Sequence, residues 1–93
     1  MKYSIRGNLH NTEGETVISV LQSYTAWRLT MDQDWDTNTF IFEIRLSLET
    51  DKTALFEELK PFVDEFTGFI DWHECTHDQR YKTPCIIIEE YRR

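Results

Sequence analysis

The chain has 93 residues, 40% of them hydrophobic and including three Trp, four Tyr and six Phe, enough for one core without metal or disulfide support. Seventeen acidic against ten basic side chains leave a net charge of -7, which excludes nonspecific attraction to nucleic acid or to an anionic membrane and permits a basic protein as partner. Three Gly and two Pro are too few for a disordered or loop-dominated chain.

Residues 2–9 alternate, with Tyr3, Ile5 and Leu9 on one face and Lys2, Ser4, Arg6 and Asn8 on the other, the pattern of a half-buried strand. Gly7 falls in the buried row, where it marks a bulge or a place where a helix packs close to the backbone. Thr12 and Glu15 have the spacing of a capping box, and Val17, Ile18 and Leu21, extended to Tyr24, form an apolar stripe. A short helix over residues 13–23 follows.

Ala26 to Met31 alternates again, with Trp27, Leu29 and Met31 on one face. Thr39 to Leu48 is the clearest strand, with Phe40, Phe42, Ile44, Leu46 and Leu48 inward and Thr39, Glu43, Arg45 and Ser47 outward. Ile41 is the apolar exception in the outward row, a candidate contact for a partner or a second copy. The polar DQDWDTN between these strands predicts an antiparallel hairpin with a long loop. Thr50 or Asp51 is positioned to cap a second helix, whose stripe is Leu55, Phe56, Leu59, Phe62, Val63 and Phe66. Pro61 is expected to bend it, and Gly68 to end it in the left-handed conformation. Phe69 to His77 and Cys85 to Tyr91 then read as a last hairpin.

This order gives an α+β fold, a βαββαβ-type (ferredoxin-like) sheet with two helices on one face. An extra C-terminal strand is added at the edge or inserted at the centre. The whole chain, 1–93, forms a single domain.

Two groups of residues could carry chemistry or contact. Asp32, Asp34, Asp36, Asn38 and Glu43 have spacing that resembles the calcium loop of an EF-hand. Thr37 replaces that loop's required glycine, Thr39 its apolar residue, and strands replace the flanking helices. The same residues form an acidic hairpin tip around Trp35, and an aromatic among carboxylates is a docking surface for a basic protein. Interaction is therefore assigned to Asp32, Asp34, Trp35, Asp36 and Ile41.

The second group is His73, Cys75 and His77, which strand periodicity sets on one face. A turn centred near residue 80 would place Cys85 opposite Cys75, completing four ligands of the kind zinc prefers, with His10 as a spare. The alternative is a small enzyme using Cys75 as thiolate, with a histidine as base and Asp71 to orient it. A Cys75–Cys85 disulfide would form only under oxidising conditions. Arg80, Lys82, Arg92 and Arg93 do not amount to a nucleic-acid patch, and the outward row of the clearest strand lacks the stacking aromatics of an RNA-binding sheet.

No phosphate loop, zinc-protease motif or nucleophile elbow is present. The expected function is an acidic protein-interaction or regulatory domain, an inhibitor-like partner of a basic protein or a homodimer. MKYSIRGNLH contains no signal-peptide core, and no run reaches the ~18 apolar residues that cross a bilayer. With two cysteines read as thiols, the expected location is the cytoplasm.

Overall fold

The computed structural model describes residues 2–75 and 87–93. Five strands and two helices follow in the order β1 (Lys2–Leu9), α1 (Glu15–Gln22), β2 (Arg28–Asp34), β3 (Thr39–Leu46), α2 (Glu49–Phe66), β4 (Gly68–Cys75) and β5 (Glu89–Arg92). The strands form one sheet in the order β2-β3-β1-β4-β5. Every neighbouring pair is antiparallel. The first four strands and both helices are the ferredoxin-like βαββαβ unit, and β5 extends its β4 edge. The extra strand is thus an edge addition.

The core lies between the inner face of the sheet and the helices. Ile5, Leu9, Phe40, Phe42, Ile44, Leu46 and Ile70 from the strands meet Val17 and Leu21 of α1 and Leu55, Phe56, Leu59 and Val63 of α2. Most of these are wholly buried. Burial of each large aliphatic or aromatic side chain contributes roughly 1.5–3 kcal/mol, which is what holds two marginal helices on the sheet. No helix among the described residues is long and apolar enough to cross a membrane.

Local details correct several expectations. The register of β1 with β3 runs through Gly7 without a bulge. A Cβ at Gly7 would lie 2.5 Å from the Phe42 ring, so the glycine makes room for a side chain of the neighbouring strand and not for a helix. The capping box does not form: Gly14, at φ 71, is the N-cap of α1, and no side chain caps the helix. Thr12 Oγ1 instead accepts from the Gly14 N–H at 3.0 Å.

The second helix begins at Glu49 after Leu48, again without a side-chain cap. Leu48, expected inward, is 58% exposed because β3 has already ended at Leu46. Helix α2 continues past Pro61 to Phe66. Positive φ falls on Thr67 (66°) as well as on Gly68 (116°). A Cβ at Gly68 would sit 2.0 Å from the Asn8 carbonyl oxygen, so close backbone approach as well as φ requires glycine there.

The second strand was expected over 26–31, but β2 runs from Arg28 to Asp34, and the turn shrinks to residues 35–38. Asp32, Gln33 and Asp34 are strand residues despite their polarity. An edge strand with one uncovered face buries little, so its sequence need not look apolar. In the last hairpin Trp72 pairs with Glu89 and Phe69 with Arg92, and the expected pairing of Cys75 with Cys85 lies outside the described residues.

Candidate interaction surface

The hairpin tip is built by its own carboxylates. Asp34 Oδ1 accepts from the N–H groups of Asp36 (3.1 Å) and Thr37 (3.3 Å), and Asp32 Oδ1 accepts from the Gln33 N–H (2.8 Å). Asn38 takes the positive φ of 52° that closes the turn, and its Oδ1 accepts from Gln33 Nε2 at 3.2 Å. Glu43 lies in mid-strand, ion-paired to Arg45 at 2.8 Å. Asp32, Asp34, Asn38 and Glu43, four of the five residues with EF-hand spacing, thus have oxygens engaged in turn bonds or paired elsewhere. Among the described residues no group of three potential metal ligands converges.

Trp35 stands 71% exposed at this tip. It borders a shallow groove of about 350 Å³ on the inner side of β2, with Ile18, Met31 and Phe40 as apolar lining and Glu13, Glu15 and Asp32 among its walls. The groove lies between the start of α1 and the edge strand β2. Met31, on the inner face opposite Phe42, is consequently 40% exposed. Asp34 and Asp36 complete the acidic surround of the tip. Sequence reasoning reached Trp35 and the aspartates but missed Glu13 and Glu15. Their only signal was acidity at the start of a helix, which is also ordinary helix-dipole chemistry.

The outer face of the sheet, opposite the helices, carries ordered polar lines. Arg6 grips Asp71 through two hydrogen bonds, Nε to Oδ1 at 3.1 Å and Nη2 to Oδ2 at 3.2 Å. Asp71 is 1% exposed. Its carboxylate is committed to Arg6, which speaks against the expected role of orienting a histidine base. Next to this pair, His73 and Ser4 face each other across β4 and β1, both buried. Burial, reinforced by the Arg6 and Arg45 charges and opposed by Asp71 and Glu43, lowers the His73 pKa below its ordinary 6.5. Ile41, as the alternation implied, points outward and is exposed.

At the sheet's other end Lys52 is buried with its Nζ 3.6 Å from the centre of the Trp72 ring. Trp72 in turn contacts Tyr3 edge-on and donates from Nε1 to Glu89 at 2.9 Å. Lys52 sits three and four residues before Leu55 and Phe56, at a stripe position of α2, so the sequence did contain the sign of a lysine folded inward.

Of the sequence-assigned zinc ligands, only His73 has a described side chain, and it lies in the Ser4 row. Cys75 ends β4. The Cys75 side chain, His77 and Cys85 lie outside what the structure describes, as does any Cys75–Cys85 bond. His10 is elsewhere, its Nδ1 3.3 Å from Thr67 Oγ1.

No protein-family model and no curated protein matches the sequence. Among solved structures, the chain is similar to the formyltetrahydrofolate deformylase of Burkholderia mallei ATCC 23344, with a TM-score of 0.56 and 17% identity over 77% of this chain. The match spans 26% of that protein, about a quarter of its length. At this identity the likeness is one of fold.

Proposed function

We propose that this chain is a cytoplasmic protein-interaction domain that receives a basic partner at the β2 edge, with Trp35 as the anchor. The observation that supports it is the groove beside Trp35, an apolar floor walled by Glu13, Glu15 and Asp32. A partner segment with lysines or arginines around an aliphatic or aromatic side chain matches it in both charge and polarity. The apolar contact supplies affinity, and the acidic wall supplies attraction at a distance and selection against acidic competitors. The edge position of β2 also leaves one side of its backbone without a neighbouring strand, where an extended segment can add. If the partner is an enzyme with a basic active site, occupation of that site by this surface makes the domain an inhibitor.

The test is affinity capture from the cell of origin with three baits in parallel: wild type, W35A, and E13K/E15K. A basic protein retained by wild type and lost from both variants is the expected result. W35A should weaken binding by about 2 kcal/mol, the range of an interface hot spot. Captured proteins held equally by all three baits, or acidic in character, would overturn the reading.

A further inference from the structure

The register aligns residues of the outer face into lines that cross all five strands. Asp32 pairs with Ile41, Ile41 with Asn8, Asn8 with Phe69, and Phe69 with Arg92. From one edge to the other this line reads acid, apolar, amide, apolar, base. Asn8 is on β1, the middle strand of the five, so the line is complementary to its own reverse.

We propose that this face pairs with the same face of a second copy of the chain. A two-fold axis along β1, between the two sheets, lays each line over its reversed counterpart. Phe69 of the second copy then covers Ile41, its Arg92 meets Asp32, and the two Asn8 side chains meet at the centre. Face-to-face sheets at this separation are an ordinary packing, with side chains from both faces interleaving. A shallow groove of about 220 Å³ lined by Ile41, Phe69, Asn8 and Arg6 is already present to take an apolar side chain from the other copy.

Charge selects this occupant over a basic or acidic one. Among the described residues, the lines on this face contain four guanidinium groups, those of Arg6, Arg28, Arg45 and Arg92. Against them stand five carboxylates, Asp32, Asp34, Glu43, Asp71 and Glu90. In a chain with seventeen acidic and ten basic residues, this near-balanced face offers little to draw a polycation. The neighbouring line, Thr30, Glu43, Arg6, Asp71 and Glu90, would set Glu43 over Asp71 and Arg6 over Arg6 of the second copy. Glu43 is already paired with Arg45 at 2.8 Å and Asp71 with Arg6 at 3.1 Å, so neither approach leaves bare like charges opposed. Ser4 and His73 are buried, which confines the contact to the part of the face around Arg6 and Asn8. The inference does not rest on the basic-partner reading, although Asp32 borders both surfaces.

Sedimentation equilibrium of the full chain tests it. Wild type should dimerise reversibly with a dissociation constant below about 1 mM, within the range of weak interfaces. D32R and R92D, each alone, oppose like charges twice across the two-fold and should weaken self-association about tenfold or more. An equimolar mixture of the two variants joins opposite charges at both contacts, and should recover association close to the wild-type level. Recovery on mixing also shows that both variants are folded. A wild-type chain that stays monomeric at about 1 mM, single variants that associate as well as wild type, or a mixture no tighter than its components would each overturn the proposal.

Discussion

His73 shows how a single buried side chain sets a pH limit on the fold. Its neutral form is the one accommodated next to Arg6 and Arg45, so its native pKa lies below 6.5. The unfolded chain, in which the imidazole has its ordinary pKa, binds a proton first as the pH falls. Stability is therefore unaffected by this group above about pH 6.5 and declines below it, until the pH passes the lowered native pKa. The comparison that isolates the effect is thermal unfolding of wild type and H73Q between pH 7.5 and pH 5. The substitution has its own cost, but that cost is constant with pH; the expected result is a shallower fall in Tm for the variant. Parallel curves would mean that His73 is protonated as readily in the native state as in the unfolded one. Tyr24 shows the same principle at the alkaline end. Burial first, then its hydrogen bond to Glu58, pushes its pKa up to about 12.

At the scale of elements, the Arg6–Asp71 contact ties β1 to β4, and its two partners are not equivalent. Arg6 has a side chain 45% exposed, so without Asp71 it can turn to water, whereas Asp71, at 1%, has no such recourse. R6M leaves a buried carboxylate uncompensated and should cost about 3 kcal/mol, while D71N, which keeps a hydrogen-bonding group, should cost nearer 1 kcal/mol. Urea denaturation of both variants checks the order, and equal losses would show that the pair acts as a surface contact. This interaction could not be read from the sequence. Arg6 and Asp71 each occupied a polar strand position, but only the register of β1 with β4 brings them together. By contrast β1, β3 and α2 were legible, because Ile5 and Leu9, Phe40 to Leu46, and Leu55 to Val63 repeat with the period of the face they bury. The β2 boundary was not legible. Asp32, Gln33 and Asp34 carry turn chemistry, and only their pairing with Phe40, Ile41 and Thr39 reveals a strand. Of the contact surface, Trp35 and Ile41 stood out because large apolar side chains interrupted polar rows. The groove beside Trp35 depends on the gap between the start of α1 and β2, a matter of tertiary packing.

For the molecule as a whole, the acidic excess is a constraint on stability as well as a guide to partners. Its extents are 37 × 26 × 21 Å. At about 10 mM salt the screening length is roughly 30 Å, so most of the seventeen carboxylates repel one another across the fold; at about 150 mM it is roughly 8 Å, and the repulsion becomes local. Screening also weakens favourable pairs, but those on the surface, such as Lys60–Glu57 and Arg92–Glu90, contribute little. The buried Arg6–Asp71 contact is screened least. Relief of repulsion should therefore dominate, and Tm should rise by about 3–5 °C between those salt concentrations, the shift that ~0.5–1 kcal/mol produces in a domain of this size. Differential scanning calorimetry at low protein concentration, with sodium chloride varied at fixed pH, measures it. The same screening should weaken capture of a basic partner, so salt ought to move stability and binding in opposite directions. A Tm that falls with salt would place the net electrostatic stabilisation in the ion pairs, and would remove the argument that the acidic surface is retained for binding at a cost to the fold.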